Sequence, residues 1–277
     1  MEEIGHALAA ALLPPRDAAG HKGTFGKVGV IGGSTGYTGA PVYAAEAAVR
    51  TGSGLVFVGT PAEVYPIVAV RCAAAMAFPL PEDCDLLQKK AEGWDAALIG
   101  PGLGEDRSLR ERALALLQEL PVPVVLDADG INAAAAHIDS LKRRTAPTIL
   151  TPHEVEFTRL GGDLSLGREQ GALRLAEKLG CVVVLKGPGT LVAHPDGRLR
   201  RNTTGSNALA KGGSGDVLAG IILSLMGQGL DGFDAASLGV YLHGRTGDLL
   251  AKDLTNYGLT PMDLVESIPR SIRELVD

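Results

Sequence analysis

The stretch NALAKGGSGDVLAGIILSLMGQG, residues 207–229, places a single aspartate, Asp216, between a run of small residues and an apolar segment. Gly212, Gly213 and Gly215 permit positive φ angles and close approach of a ligand to the backbone. The apolar segment predicts a helix starting near Asp216, and its first turn offers unpaired N–H groups and the positive end of the helix dipole. The stretch therefore predicts an anion hole at a helix start.

Asp216 lies beside this predicted anion hole. A carboxylate there can accept the proton of a substrate hydroxyl while that hydroxyl attacks the terminal phosphate of a nucleotide. The alternative is that Asp216 only caps the helix, which is a common role of aspartate. We favour the chemical role because several other Gly-rich segments of the chain follow predicted strands.

Six short apolar runs, each bounded by Gly or Pro, predict strands. They are nearly continuous rather than alternating, which is typical of strands buried on both faces of a parallel sheet. The runs are KVGVIGG (27–33), LVFVGT (55–60), AALIGPG (96–102), PVVLDAD (123–129), TILTPH (148–153) and CVVVLKG (181–187).

Segments with helical spacing of apolar residues separate these runs. They include APVYAAEAAVRTG (40–52), with Gly52 as the C-cap, SLRERALALLQEL (108–120) and REQGALRLAEKLG (168–180). Strand–helix–strand alternation indicates βαβ units. We therefore expect an α/β fold with a mostly parallel central sheet flanked by helices on both faces.

The remaining segments complete this picture. TLVAHPDGRLRRN (190–202) predicts a hairpin with Pro195-Asp196-Gly197 as its turn, and the chain from Asp216 onward predicts mainly helix. The first ~20 residues predict a helix with a loop packed against it. Since no internal repeat, low-complexity tract or linker interrupts the pattern, we expect one domain over residues 1–277.

Composition excludes several classes of protein. The 277 residues are 45% hydrophobic but only 4% aromatic, which predicts a large core of Ala, Val, Leu and Ile. The net charge of −6 argues against a nucleic-acid-binding protein. No run approaches the ~20 apolar residues of a membrane span, and the acidic N-terminus, with Pro14 and Pro15, lacks the pattern of a secretory signal. We predict a soluble cytoplasmic protein.

The three cysteines, Cys72, Cys84 and Cys181, are widely spaced. An odd number at such spacing fits neither a disulfide framework nor a zinc cluster. We expect buried or incidental thiols in a reducing compartment.

Ligands of open α/β sheets bind beyond the carboxyl ends of the strands. The segments that follow the predicted strands are GGSTGYTGA, PGLG, DADGIN, TPHEVEF and KGPGT, each with Gly or a polar group beside Gly or Pro. This convergence predicts a binding site. The first segment lacks the G-x-G-x-x-G spacing of a dinucleotide-binding dehydrogenase, and the absence of G-x-x-x-x-G-K-[ST] excludes an ordinary P-loop.

Taken in order, the segments resemble a known family. GGSGD is similar to the anion-hole signature of the ribokinase-like superfamily, although S-G-D alone is a weak signal. With the blocks VIGGSTGYTGAPVYAAEAAVRTGSGLVFVGTP, LIGPGLG, VLDADGIN, ILTPHEVEFTRL, VVLKGPGTLV and NALAKGGSGDVLAGI, the chain resembles the ADP/ATP-dependent NAD(P)H-hydrate dehydratases. The resemblance runs from about residue 22 to 269 and is specific because all blocks occur in order.

The resemblance implies an enzyme, a hydro-lyase that repairs nicotinamide cofactors. The S epimer of hydrated NADH or NADPH (NADHX or NADPHX) would be phosphorylated on its ring hydroxyl by ADP or ATP. Loss of phosphate would then regenerate NADH or NADPH, leaving AMP or ADP. Phosphorylation is chemically sensible because hydroxide is a poor leaving group at neutral pH.

The resemblance also implies roles for residues. Asp216 would be the base, and Gly213, Ser214 and Gly215 the anion hole. The nucleotide would contact Lys186, Gly187, Pro188, Gly189, Thr190 and Gly215, with Asn207 ordering phosphate or Mg²⁺. The hydrated dinucleotide would contact Ala40, Gly102, Gly104, His153 and Asp216. The family uses Mg²⁺ with its nucleotide; the ligands stay unassigned, and the candidates are Asp127, Asp129 and Glu156.

Several of these residues have simpler explanations. His153 fits a surface loop residue, Lys186 a solvated lysine at a strand end, and Asp127 and Asp129 caps of the next helix. His243 lies on a predicted helix, where a core position is commoner than a catalytic one.

Two departures from the family pattern stand out. Ser214 replaces the commoner Thr, and both supply a hydroxyl. TPHEVEF replaces TPHPGEF in the loop after His153.

Two other functions compete with this one. A small-molecule kinase of the same superfamily, acting on a vitamin precursor or a sugar, would use Asp216 in the same way but keep the phosphate ester. A non-catalytic nucleotide sensor would have no need of a base. We expect small-molecule partners only, a homo-oligomer such as a tetramer, and an epimerase as a separate protein, since the chain is too short to hold both activities.

Overall fold

The six predicted strands form the centre of one ten-stranded sheet in the computed structural model, which describes residues 1–276. In chain order the strands are β1 (Glu2–Ile4), β2 (Lys27–Ile31), β3 (Leu55–Thr60), β4 (Met76–Pro79), β5 (Ala96–Ile99), β6 (Val124–Leu126), β7 (Thr148–Leu150), β8 (Val182–Leu185), β9 (Leu191–Ala193) and β10 (Leu199–Asn202). Their order across the sheet is β1-β10-β9-β8-β7-β6-β5-β2-β3-β4.

The sheet is mostly parallel, as predicted. In the part of the sheet with the order β8-β7-β6-β5-β2-β3-β4, every pair of neighbouring strands is parallel. The predicted hairpin is also confirmed: β9 and β10 are antiparallel, and Gly197 N donates to His194 O across the turn. Strands β1 and β4 were not predicted, and both lie at the edges of the sheet.

Helices connect the strands. They are α1 (His6–Leu12), α2 (Gly39–Thr51), α3 (Tyr65–Arg71), α4 (Cys84–Ala91), α5 (Arg107–Glu119), α6 (Asp129–Ala135), α7 (Asp139–Lys142), α8 (Glu154–Arg159), α9 (Arg168–Leu179), α10 (Ser214–Gly227), α11 (Gly232–Gly258) and α12 (Pro261–Val276). The predicted cap at Gly52 is confirmed, since this residue ends α2 with φ 115°. The chain beyond Asp216 is mainly helical, as expected.

Two apolar cores lie on opposite faces of the sheet. Along β5, Ala96 and Leu98 pack with α2 and α10–α12, whereas Ala97 and Ile99 pack with α4–α6, α8 and α9. Consecutive strand residues point to opposite faces, so both faces of this strand are buried. This explains the continuous apolar runs and confirms helices on both faces.

The parallel strands end at one edge of the sheet, and the Gly-rich segments follow them there. The loops after β2, β5, β6, β7 and β8 therefore meet at this edge, where α10 begins. Within residues 1–276, none of the helices is long and apolar enough to span a bilayer. The three cysteines are free thiols, and burial raises the pKa of Cys72 and of Cys181 to about 12, which makes both unreactive.

Candidate active site

The predicted anion hole lies at the start of α10. Gly213 is the N-cap with φ 95°, no side chain caps the helix, and the amide of Ser214 donates to the Lys211 carbonyl at 3.2 Å, while Gly215 follows in the first turn. Asp216 lies in that turn rather than at the cap. The capping role considered for Asp216 is therefore wrong, and its carboxylate is available for chemistry.

Asp216 has the protonation behaviour of a base near neutral pH. Burial raises its pKa to about 7, and the negative charges of Asp127, Asp129 and Glu156 act in the same direction. The positive charge of Lys186 opposes this rise. A carboxyl group with a pKa near the working pH is well suited to accept a proton.

Gly213 is required by both its backbone and its surroundings. A Cβ there would lie 2.8 Å from Cγ of Pro261 and 2.9 Å from the ring of Tyr43. We expect Gly213→Ala to destabilise the protein by about 1–3 kcal/mol and to displace the first turn of α10, because alanine disfavours positive φ and cannot fit. Urea unfolding measures the loss.

Gly212 is the matched control for this prediction. It is exposed, its φ lies outside the left-handed region, and a Cβ there would meet nothing within 4 Å. Gly212→Ala should change the free energy of unfolding by less than about 0.5 kcal/mol. Equal effects of the two substitutions would contradict the assigned role of Gly213.

Lys186 lies between several acidic groups, next to the first turn of α10. Its Nζ lies 2.9 Å from Oδ1 of Asp127 and 3.9 Å from Oε2 of Glu156. A Cβ added to Gly215 would lie 3.4 Å from the same Nζ. With only 20% of its side chain exposed, Lys186 is not the solvated lysine considered from the sequence.

The charge of Lys186 is maintained by its partners. Burial lowers its pKa, but the carboxylates of Asp127, Glu156 and Asp216 outweigh burial, so the pKa lies above its ordinary value. A permanent positive charge thus lies beside the first turn of α10. Together with the helix dipole, it favours a phosphate at this position.

Asp127 and Asp129 leave β6 in different directions. Between them, Ala128 has φ 48° and ψ −117°, a conformation that costs a non-glycine residue roughly 1–3 kcal/mol. Asp127 accepts hydrogen bonds from Lys186 and from Oγ1 of Thr151, the latter at 2.7 Å. Asp129 accepts from the amide of Gly104 at 2.8 Å. Neither side chain caps α6, so that alternative is wrong for both.

His153 begins α8 through a reciprocal cap. Its Nδ1 accepts from the amide of Val155 at 3.1 Å, while Oε2 of Glu156 accepts from the His153 amide at 2.9 Å. The imidazole is 53% exposed. The side chain therefore has a local structural role, and its other ring nitrogen, Nε2, lies 3.5 Å from Oε1 of Glu156.

Ala40, Gly102 and Gly104 lie where the first Gly-rich loop meets the loop after β5. A Cβ added to Gly102 would lie 3.1 Å from Cβ of Ala40. Oγ of Ser34 donates to the Gly102 carbonyl at 2.8 Å, and the hydrogen bond from Gly104 to Asp129 links this group to the charges around Asp216. These predicted substrate contacts thus form a cluster of their own. Asp129 connects it to the charged residues around Asp216.

The predicted nucleotide loop, residues 186–190, follows β8 directly. Gly187 and Gly189 have positive φ angles, and Oγ1 of Thr190 donates to the Gly187 carbonyl at 2.9 Å. Asn207 lies on a short 3₁₀ helix and bonds to Asn256 near the end of α11. Asn207 is therefore connected to α11, a contact that its position before the Gly-rich run did not indicate.

Sequence reasoning missed two contributors to the site. Thr151 holds Asp127, as described above. His243, assigned to the core, places its Nε2 3.0 Å from Oγ of Ser214, and burial lowers its pKa to about 4, so the ring is neutral at pH 7. A serine hydroxyl paired with a neutral ring has a defined orientation at the anion hole. No spacing signal links His243 to Ser214, since they lie 29 positions apart.

The residues present also fit a magnesium ion that arrives with a nucleotide. Within residues 1–276, no three His, Cys, Asp or Glu side chains converge into a metal cage. Mg²⁺ commonly binds one or two carboxylates together with substrate phosphates and water. Asp127 and Glu156 are buried carboxylates beside Lys186, and Asp129 is a partly exposed one 3.6 Å from Arg110; each accepts a hydrogen bond within the protein, and each stays a candidate for that arrangement.

A separate groove lies away from this edge of the sheet. It has a volume of about 590 Å³ and lies between α5 and the α6–α7 segment, lined by residues such as Leu114, His137 and Arg143. Asp216, Lys186 and the glycines of the Gly-rich loops do not line it. The candidate site is therefore identified by its chemistry-bearing residues and not by this groove.

Comparison with known proteins agrees with this geometry. The family model described as NAD(P)H-hydrate dehydratase matches residues 28–270. A bifunctional NAD(P)H-hydrate repair enzyme from Moorella thermoacetica is 40% identical over 276 residues, covering 95% of this chain and 52% of that protein. An ADP-dependent (S)-NAD(P)H-hydrate dehydratase from Neisseria meningitidis serogroup B is 40% identical over 239 residues, covering 83% and 79%.

Solved structures confirm the predicted fold. An ADP/ATP-dependent NAD(P)H-hydrate dehydratase from Bacillus subtilis, co-crystallised with ATP and Mg²⁺, aligns with a TM-score of 0.86 at 33% identity, covering 99% of this chain and 98% of that one. Structural matches include a ribokinase-like superfamily protein, so the ribokinase-like prediction is correct. The chain spans about half the length of the first curated relatives it matches.

Proposed function

This chain belongs to the NAD(P)H-hydrate dehydratase family, and from that premise we propose that it dehydrates the S epimer of NADHX and NADPHX. ADP or ATP would supply the phosphoryl group, and the products would be NADH or NADPH, phosphate, and AMP or ADP. The observation that carries the proposal is Asp216, a half-buried carboxyl with a pKa of about 7 in the first turn of α10.

The proposed reaction has two steps. In the first, Asp216 takes the proton of the ring hydroxyl. The hydroxyl oxygen bonds to the terminal phosphorus of the nucleotide, and the phosphoanhydride bond to AMP or ADP breaks. In the second, the carbon–oxygen bond breaks, phosphate leaves, and the neighbouring ring carbon loses a proton. The ring double bond is thereby restored.

The surrounding residues stabilise charge and hold the reactants. We assign Gly213, Ser214 and Gly215, together with the ammonium of Lys186, to the stabilisation of negative charge that develops on the transferring group. We assign loop 186–190 to the nucleotide, and Ala40, Gly102, Gly104 and His153 to the hydrated dinucleotide. Mg²⁺, when bound by carboxylates among Asp127, Asp129 and Glu156, would neutralise charge on the nucleotide phosphates.

The proposal is tested with purified protein, (S)-NADHX, Mg²⁺ and either ADP or ATP. We expect recovery of the reduced-nicotinamide absorbance together with an equal amount of free phosphate. Phosphate that stays esterified to the hydrated ring would instead indicate a kinase. Binding of adenine nucleotide without turnover of (S)-NADHX would overturn the dehydratase assignment.

The rate should depend on the ionisation of Asp216. Only the carboxylate accepts a proton, so kcat/KM for the hydrate should rise about tenfold per pH unit below pH 7 and level off above it. Asp129→Asn removes a negative charge that raises this pKa but keeps an acceptor for the Gly104 amide. Its profile should shift to lower pH; an unchanged or opposite shift would contradict the assignment.

Assembly and location remain proposals as well. We propose a homo-oligomer such as a tetramer in the cytoplasm, and a single dehydratase domain over residues 1–277. The name of the Moorella thermoacetica relative, a bifunctional enzyme about twice the length of this chain, supports a second activity outside the aligned half of that protein.

A further inference from the structure

Arg168 holds the backbone of the nucleotide loop from behind. Its guanidinium donates to three carbonyl groups at the end of β8 and in the loop: Nη2 to Leu185 at 3.2 Å and to Lys186 at 3.0 Å, and Nη1 to Pro188 at 2.8 Å. A Cβ added to Gly187 would lie 2.7 Å from Nη2, so the loop fits closely around this side chain. One planar donor group therefore fixes the path of the loop.

Helix stability does not explain an arginine at this position. Arg168 is the first residue of α9, where the positive end of the helix dipole disfavours a cation. The N-cap is Gly167, and no side chain caps the helix. The contacts with the loop are thus the favourable interactions that this side chain makes.

One donor of Arg168 has no hydrogen bond. Its Nε is buried and unpartnered, and the nearest carboxylate oxygen, Oε1 of Glu154, lies 3.7 Å away. This is close enough for an ion pair but too long for a hydrogen bond. Since a buried unpaired N–H is costly, a small movement of Glu154 toward Arg168 would be favourable.

Glu154 directly follows His153, the predicted contact of the hydrated dinucleotide. The guanidinium therefore lies between two loops, one assigned to each substrate. Its contacts with the nucleotide loop have hydrogen-bond distances. The distance from its Nε to Oε1 of Glu154 in the His153 loop is longer than a normal hydrogen bond by about one ångström.

We propose that Arg168 is a positioning residue that fixes the nucleotide loop and couples nucleotide binding to dinucleotide binding by closing its bond with Glu154. The coupling rests on the proposed function, which assigns the two loops to the two substrates. A ligand on His153 that draws Glu154 onto Nε would stiffen the loop on the other side of Arg168. By linkage, each ligand then raises the affinity for the other.

Arg168→Lys tests the positioning role. An ammonium keeps the charge but cannot bond three carbonyls in one plane. We expect the Kd for ADP with Mg²⁺, measured by titration calorimetry, and the KM for ADP to rise at least tenfold, while kcat at saturating ADP changes less than threefold. Arg174→Lys, at an exposed position of the same helix, is the matched control and should leave both constants unchanged.

Glu154→Ala tests the coupling, because alanine has no acceptor for Nε of Arg168. The substitution leaves the three carbonyl bonds of Arg168 intact, so the Kd for ADP alone should match the wild type. Saturating NADPH, used as a stable dinucleotide probe, should tighten ADP binding at least threefold in the wild type and not in Glu154→Ala. Equal tightening in both proteins, or none in the wild type, would overturn the coupling.

The outcomes separate this proposal from the proposed function. Unchanged ADP affinity in a folded Arg168→Lys protein would overturn the positioning role even if the wild type is an active dehydratase. Wild-type protein that binds ADP but does not turn over (S)-NADHX would overturn the dehydratase, while the affinity comparison would still decide the role of Arg168. If Arg168→Lys fails to fold, Glu154→Ala alone decides the coupling.

Discussion

Replacement of Asp216 by asparagine should abolish most of the activity and at the same time stabilise the protein. Without the base, kcat should fall by about 10²–10⁴-fold, the usual contribution of general-base catalysis. Asparagine keeps the shape and the carbonyl oxygen, so the folded state should persist. The prediction combines a stopped dehydration assay with urea unfolding of the same preparation.

The sign of the stability change follows from the pKa. Asp216 has a pKa of about 7 in the folded protein and an ordinary value of 3.8 when unfolded. Its contribution to stability is fully present below pH 3.8 and is lost as the pH rises through 7, where burial opposes the charge. At pH 8, Asp216→Asn should therefore raise the free energy of unfolding by about 1–4 kcal/mol, at about 1.4 kcal/mol per pKa unit and with a discount for partial exposure.

Asp139→Asn serves as the control. Asp139 lies in the first turn of α7, and its side chain is 84% exposed. This substitution should leave the rate unchanged and alter stability by less than about 0.5 kcal/mol. A fully active Asp216→Asn protein would show that the phosphoryl acceptor needs no base at this position.

Replacement of Lys186 by methionine should strongly destabilise the protein. Asp127 and Glu156, with side chains 2% and 6% exposed, would then be buried without their cation. Breaking a buried ion pair by removing one partner typically costs about 3–5 kcal/mol. We expect a loss of this size in urea unfolding at pH 8, together with loss of nucleotide binding.

The pH dependence of the rate and a second substitution test whether loss of the Lys186 charge causes these effects. Lys186 is a cation that lowers the pKa of Asp216, so its removal should move the acidic limb of the rate profile to higher pH in any residual activity. Adding Asp127→Asn to Lys186→Met should recover part of the lost stability, because one uncompensated charge is removed. Lys178→Met, at an exposed position of α9, should cost less than about 0.5 kcal/mol. A similar loss in both single variants would contradict the buried-pair explanation.

Much of the fold could be predicted because burial leaves a strong pattern. A strand covered on both faces needs apolar residues at every position, as in VVVL of β8, and such a run is visible without any knowledge of its neighbours. Strands β1 and β4 lie at the edges of the sheet, where fewer positions of a strand must be apolar. β1 has only three residues with two exposed, and β4 ends at a proline, so neither carries the signal.

The location of the candidate site was predictable for a topological reason. Since parallel strands end at one edge, segments far apart in the chain can be assigned to one place from their position after a strand. The hydrogen bond between Asp129 and Gly104 shows two such segments in contact. The individual site residues named from the resemblance stay predictions, which the substitutions above would test.

The sequence by itself determined the layer architecture, the edge of the sheet that holds the Gly-rich loops, and the family. These depend on periodicity and on motifs that are local in the chain. Only the tertiary structure decided which charges meet. It placed Lys186 between Asp127 and Glu156, put His243 against Ser214, and set Arg168 behind the nucleotide loop. Such contacts join residues with no fixed spacing, because long-range packing of helices and loops, rather than any local preference of the backbone, brings them together.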